Sequence, residues 1–293
     1  MRLFLHAVSH QRLEYKLHLM LVSVKQFIAN GLTDFMKRYV INLDRSIERL
    51  NSIKSVFEQA QLEFIRVSAV DGKLLPEEDY LRLTKVRNWP KKLSRSEVAC
   101  FLSHLQCLKL IAEGDEPYGA VFEDDIKLSP NAKPFLEDWS WIPKGCDVVK
   151  LDTAEIVCVL GRFNTNLDNG YQLAPLISKH YCTGGYIISK ECAKKVYDNN
   201  TQVTAPFDEI LFNPDCWDSK AAKVEQLFPA IVVQIGLEST IRAPEPENEK
   251  HKPSNRPFLQ KVYREFKRTK KRYIMPWLMK TFLRYYWGIV PFK

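Results

Sequence analysis

The sequence predicts an α/β protein. Three patterns carry that expectation: apolar runs of strand length, amphipathic runs at helical spacing, and an order in which the two alternate. In KRYVINLD a charged pair leads into Tyr39, Val40, Ile41 and Leu43, a short apolar strand. Ile47, Leu50, Ile53, Phe57 and Ala60 then recur every three or four residues, which is one buried face of a helix opened by Ser46. LEFIRV (62–67) is the next strand. Strand, helix and strand in succession imply a parallel pair joined by a crossover.

A turn at Asp71 and Gly72 and an acidic short helix from Pro76 to Leu83 follow. Ser94-Arg-Ser-Glu97 has the form of a capping box, in which a hydroxyl and a glutamate three residues on satisfy free N–H groups at a helix start. That helix is expected to run to Gly114 with Val98, Phe101, Leu102, Leu105, Leu108 and Ala112 on its apolar face. The strand YGAVF (118–122) comes next and ends abruptly in Glu123, Asp124 and Asp125. Further strands are expected at 147–151, 156–160, 173–177 and 181–189, a helix from Glu191 to Tyr197, and apolar stretches at 224–228 and 230–235. No internal repeat is visible.

With 293 residues, 45% of them hydrophobic and 27% charged, the chain can bury a sizeable core, which excludes disorder and collagen-like order. Its net charge of +8 is unevenly placed: Glu249 to Lys293 hold thirteen lysines and arginines against two acids, so the body before them is slightly acidic. Seven cysteines without a CxxC pair read as reduced thiols, not a disulfide framework. No apolar run reaches the roughly 18 to 20 residues that cross a bilayer. His6, His10, Arg12, Glu14 and Lys16 interrupt the stretch where a signal peptide needs its apolar region, so secretion is not expected.

Four prolines and alternating charges in APEPENEKHKPSNRP read as a linker. The expected divisions are an N-terminal extension (1–36), a folded domain (37–242), the linker (243–257) and a tail (258–293). Basic amphipathic helices are expected in the tail, with aromatic residues such as Trp277, Tyr285, Tyr286 and Trp287 placed to meet an anionic membrane surface.

The acidic cluster is the strongest chemical signal. Adjacent carboxylates repel one another and are costly to gather unless a cation neutralises them, and an α/β sheet places its ligands at strand ends. A divalent ion on oxygen ligands would be Mg²⁺ or Mn²⁺, bridging phosphates and stabilising a leaving diphosphate. Alone, the triplet is equally a solvated loop with turn-forming aspartates.

Its company narrows the choice. YVINLDRSIERL (39–50), VSAVDGK (67–73), LSRSEVACFLSHLQCLKLI (93–111), AVFEDDIKL (120–128), GGYIISKECAKKV (184–196), FDEILF (207–212) and VVQIGLESTIR (232–242) occur in this order. Together they resemble glycosyltransferase family 25, the lipooligosaccharide galactosyl- and glucosyltransferases of Gram-negative bacteria. The resemblance covers Lys37 to Arg242. It implies a glycosyltransferase A-like nucleotide-binding sandwich with a mixed central sheet. It also implies a UDP-sugar donor, usually with Mn²⁺, and inversion at the anomeric carbon. Its acid-x-acid metal element maps to Glu123 and Asp125, with glutamate where many such enzymes have aspartate. Asp124, pointing the other way, is left to contact sugar or face water.

Asn42, Arg45 and Arg49 follow the first strand, where a nucleotide would sit. Arg45 suits a phosphate, or else balances Asp44 or Glu48 at the surface. Asp71 is either a turn aspartate or a ribose or uracil contact. On the LSRSEVACFLSH helix, Glu97, Cys100, His104 and Cys107 share a stripe too long for one tetrahedral ion. Ser103 and His104 are either contacts to donor sugar and diphosphate or packing residues. An inverting displacement needs a base for the acceptor hydroxyl. The family pattern points to Asp208, with Glu209 its near rival, against the alternative of aspartate stabilising a helix N-terminus.

The expected enzyme moves a hexose, galactose by preference over glucose, to a lipid-linked oligosaccharide, in the cytoplasm against the inner membrane. A metal-dependent nucleotidyl or phosphoryl transferase would also need clustered acids. A nucleic-acid binder through Lys267, Arg268, Lys270, Lys271 and Arg272 is disfavoured by the acidic body and the aromatics that follow.

Overall fold

The computed structural model describes residues 35–86, 89–216, 222–235 and 279–293. The chain divides after Phe35, and Met36–Lys293 is treated as a unit by itself. Residues 1–34 of the N-terminal extension, the linker and the basic stretch 258–278 lie outside the described residues.

Strand β1 (Lys37–Asn42) runs into helix α1 (Ile47–Gln59) and returns through β2 (Ile65–Ser68). Helix α2 (Glu77–Leu83) and the long α3 (Arg95–Glu113) lead to β3 (Tyr118–Glu123). β1 pairs in parallel with β2 on one side and β3 on the other, so the crossover expected from the sequence is present. Short β4 (Ile126–Leu128) and α4 (Lys133–Glu137) follow the acidic cluster. The chain continues through β5 (Val148–Lys150), β6 (Asp152–Thr153), β7 (Val157–Leu160), β8 (Thr165–Asn166), β9 (Gln172–Pro175) and β10 (Gly185–Ser189). Helices α5 (Lys190–Asn199) and α6 (Phe207–Phe212) precede β11 (Val224–Phe228), β12 (Val232–Gln234) and β13 (Tyr286–Ile289).

Eight strands form the central sheet in the order β2-β1-β3-β10-β5-β11-β9-β8, with β10 antiparallel to both its neighbours. The mixed sheet is therefore as expected. Because successive side chains alternate across a strand, each strand feeds two cores. Tyr39, Ile41, Val121, Tyr186 and Ile188 pack with Phe101, Leu105 and Leu108 of α3. Val40, Ala120, Phe122 and Ile187 pack on the opposite face with Ile53 and Phe57 of α1. Gly119 lets α3 approach β3, since a Cβ there would lie 2.7 Å from Ile111.

Two expectations change. Residues 181–184, read as the start of a strand, are a loop before β10, because Cys182 takes a left-handed conformation (φ 69°) that ends extended pairing. The end of the tail is no amphipathic helix. After a single π-helical turn at Met279–Leu283, β13 pairs antiparallel with β7, and Tyr286 packs 4.9 Å from the ring of Phe228. Val290 is fully buried, its carbonyl accepts from Thr153 Oγ1, and the Lys293 carbonyl accepts from Tyr171. Residues 286–293 thus belong to the body, because backbone pairing and burial of Val290 hold them there. Among the described residues no helix is long and apolar enough to cross a membrane.

The capping box at Ser94 is complete: Ser94 Oγ accepts from Glu97 N, and Glu97 reaches back to Ser94 N. Ser94→Ala should lower unfolding free energy by about 1 kcal/mol. A urea titration should show the midpoint falling with an unchanged slope.

Candidate active site

The site grows from the parallel pairing of β1 with β3, which sets Ile41 opposite Glu123 and so brings Asn42 beside Asp124. Asn42 Nδ2 donates to Asp124 Oδ2 at 2.6 Å, while its Oδ1 accepts from Arg66 Nε at 3.0 Å. Arg49, one turn into α1, donates from Nη1 to Asp124 Oδ1 at 3.1 Å and stands 3.8 Å from Asp125 Oδ2. Asp124 is therefore clasped between β1 and α1. It does not turn to open water, as strand alternation alone allowed.

Glu123 is held from three sides. Thr183 Oγ1 donates to its Oε1 at 2.5 Å, Gln234 Nε2 to its Oε2 at 2.9 Å, and His104 Nε2 lies 3.5 Å from Oε1. Burial pushes its carboxyl upward, but hydrogen bonding from His104 and Thr183 outweighs that and holds it below the usual glutamate value. His104 itself is buried, contacts Tyr186 Oη through Nδ1 at 3.0 Å and stacks on Phe207. Gly184 makes room for Gln234: a Cβ there would meet Gln234 Cγ at 2.9 Å.

Asp125 has weaker company. Among the described residues its Oδ1 accepts a single long bond, 3.4 Å from Gln234. Burial, and next the charge of Glu123, push its carboxyl up to about 6, with Arg49 opposing. Arg49 is, among the described residues, the ion-pair partner of Asp124 and Asp125 and His104 that of Glu123, so the three carboxylates outnumber the side chains that could neutralise them. Among the described residues Cys100, His104 and Glu123 also converge, each offering a donor atom within 4.8 Å of the others. The stripe along α3 thus supplies two groups, and β3 supplies the third.

Asp208 and Glu209 open α6, and their neighbours separate them. Glu209 is buried, ion-paired with Lys179 and accepts from Asn213 at 2.7 Å. Asp208 is half-buried and accepts at 3.2 Å from the N–H of Cys182. Burial pushes its carboxyl up, while that N–H, Lys150 and Lys179 pull it down.

The remaining expected residues divide. Arg45 and Asp71 bind each other (Nε to Oδ2, 2.6 Å), and that bond, first, and the Lys73 N–H hold Asp71 below its usual value. Ser103 is engaged inside the fold, donating to the Ala99 carbonyl and accepting from the Val70 N–H. Sequence reasoning missed Thr183, Tyr186, Gln234, Lys150 and Asp152. For the last two a signal existed: a lysine and an aspartate two residues apart in the apolar run VVKLDT.

Residues 35–211 match the family profile "Glycosyltransferase family 25 (LPS biosynthesis protein)". The chain is 31% identical over 210 residues to the lacto-N-neotetraose biosynthesis glycosyltransferase LgtB of Neisseria gonorrhoeae, covering 68% of this chain and 74% of that protein. It is 27% identical over 217 residues to the lipooligosaccharide biosynthesis protein lic2B of Haemophilus influenzae, covering 68% and 76%. Procollagen galactosyltransferase 1-A of Xenopus laevis is 30% identical over 192 residues, covering 60% of this chain and 30% of that one. A crystal structure of a glycosyltransferase involved in glycosylation of the major capsid of PBCV-1 aligns with a TM-score of 0.39 at 11% identity, covering 69% of this chain and 93% of that one. The protein is a sugar transferase. It belongs to glycosyltransferase family 25.

Arg49 is the cation facing Asp124 and Asp125, so Arg49→Met removes the charge that opposes protonation. The Asp125 carboxyl, followed by ¹³C NMR across a pH series, should then titrate above 6.

Proposed function

We propose that this chain is an inverting galactosyltransferase that moves the hexose of a UDP-sugar to a lipooligosaccharide acceptor. The observation that carries the reading is the acidic end of β3 beside β1, with Asp125 only weakly bonded, in a chain related to LgtB and lic2B. Glucose in place of galactose is the alternative within the same family.

Hard carboxylate oxygens and an excess of negative charge fit a divalent Mn²⁺ or Mg²⁺. Asp125 would hold it, with Glu123 as the second ligand. When bound, the ion would supply charge stabilisation to the leaving diphosphate. The remaining work falls to the chain. Arg49 and Asn42 fix Asp124 and set the wall against which Asp125 stands. His104, Thr183 and Gln234 keep Glu123 ionised and oriented. Asp208 would take the proton of the acceptor hydroxyl as it attacks the anomeric carbon. Glu209, tied to Lys179 and Asn213, is the poorer base. Arg45 and Asp71, paired at the loop beyond β1, would have to part to meet phosphate or ribose. The basic residues between 258 and 278 remain the proposed contact with anionic lipid on the cytoplasmic face of the inner membrane.

The metal and base roles have different signatures. Asp125→Asn should cut UDP release from UDP-galactose by orders of magnitude and weaken UDP binding in Mn²⁺, since each 1.36 kcal/mol lost is about tenfold in rate. Asp208→Asn should lose turnover yet keep Mn²⁺-dependent UDP binding by calorimetry. Wild-type turnover in Asp125→Asn would remove the acidic cluster from the mechanism.

Protons and metal compete for the same carboxylate. With Asp125 titrating at about 6, apparent Mn²⁺ affinity should fall as the pH drops below that value and level off above it. Calorimetric titration between pH 5 and 8 (a range of about three units around an ordinary working pH) would check this. A flat profile would rule out Asp125 as a ligand.

A further inference from the structure

Lys150 ends β5, between β10 and β11 in the middle of the central sheet, and none of its side chain reaches solvent. Its ammonium donates to Asp152 Oδ1 at 2.7 Å and to the Cys182 carbonyl at 2.7 Å, and stands 4.1 Å over the ring of Phe212. Taking both charges out of water is costly, and well-packed apolar side chains usually serve a core at least as well. Among the described residues the second oxygen of Asp152 has no hydrogen-bond partner. Core stability therefore gives a poor account of this pair.

What the pair touches gives a better one. Cys182 sits at φ 69°, a left-handed conformation that a residue with a side chain adopts only when its surroundings force it. Lys150 grips its carbonyl, while its N–H is aimed at Asp208. Thr183, the next residue, donates to Glu123. At Gly184, a Cβ would meet Gln234, the other donor to Glu123, and would lie 3.4 Å from the unpaired oxygen of Asp152. Three consecutive residues thus link the buried pair to Asp208 on one side and to the acidic strand end on the other.

We propose that Lys150 and Asp152 are positioning residues: together they pin the left-handed turn at Cys182 and so fix the spacing between Asp208 and Glu123. This rests on the reading of those two carboxylates as base and metal ligand. The grip acts through backbone atoms of Cys182, so the thiol is free to report on it. Misplacement of a reacting group by about 1 Å can cost about a hundredfold in rate, which is the scale to look for in kcat.

The test uses the full chain. Lys150→Met alone leaves Asp152 buried without its partner and risks the fold, so Lys150→Met with Asp152→Leu is the main variant: it removes both charges and roughly keeps volume. Its melting temperature should stay near wild type. Site-resolved alkylation of Cys182 by iodoacetamide should quicken several-fold, and kcat for UDP release from UDP-galactose should fall toward about a hundredfold with the donor KM little changed. A folded double variant with wild-type Cys182 alkylation and kcat would overturn the proposal. Asp152→Asn, which keeps a carbonyl oxygen for the Lys150 ammonium, is the second variant. It should show the same two changes at smaller size, and wild-type values for both would equally overturn it. If the wild-type protein releases no UDP from UDP-galactose, the reading of the donor fails, while the alkylation comparison still decides whether the pair holds the turn.

Discussion

Three successive carboxylates at the end of a buried strand repel one another, and most of the polar architecture described above answers that repulsion. Each acid is met differently. Asp124 has an arginine and an asparagine drawn from α1 and β1; Glu123 has hydroxyl and amide donors and a neighbouring imidazole from three other segments. Among the described residues Asp125 keeps a single long side-chain bond, and burial first, then the charge of Glu123, raise its titration. The fold concentrates its electrostatic debt on one side chain.

That distribution follows from the sheet. Parallel pairing of β1 with β3 puts the polar ends of both strands at the same edge, so Asn42 can reach Asp124 without any loop having to carry it. Antiparallel β10 then delivers the residues just before it, Thr183 and Gly184, to that same edge, since it runs toward the opposite end from β3. A parallel strand in that place would have brought its trailing residues instead. The mixed order of the sheet is what gathers donors from both strand directions around Glu123.

Local elements were readable in the sequence because local rules write them. The capping box at Ser94, the stripe on α1 and the strand ending at Glu123 depend on neighbours within one or two turns; the box and the strand are present, and the stripe is buried at Ile53 and Phe57 but exposed at Ile47, its first residue. Asp125 and Asp208 were likewise visible as chemistry-bearing types, although the roles proposed for them needed a family pattern. Long-range pairings were not legible. Nothing in HYCTGG announces that Thr183 meets Glu123 sixty residues earlier, or that Ser103 points its hydroxyl into the backbone of Val70. The basic, aromatic C-terminal composition suggested an interfacial helix, and strand pairing with β7 prevailed at its end because Tyr286 and Val290 find apolar partners in the body.

The pairing of β13 with β7 also orders events in time. β7 is complete near residue 160, yet its antiparallel partner begins at Tyr286, more than a hundred residues later. Contacts of such wide sequence separation are late and slow to form. During synthesis the outward edge of β7 must wait, unpaired, until the last residues of this sequence leave the ribosome. Val157, half exposed even after β13 has docked, stands on that waiting edge. A nascent chain stalled before Tyr286 presents an open strand edge, and such an edge is a template on which another chain can pair.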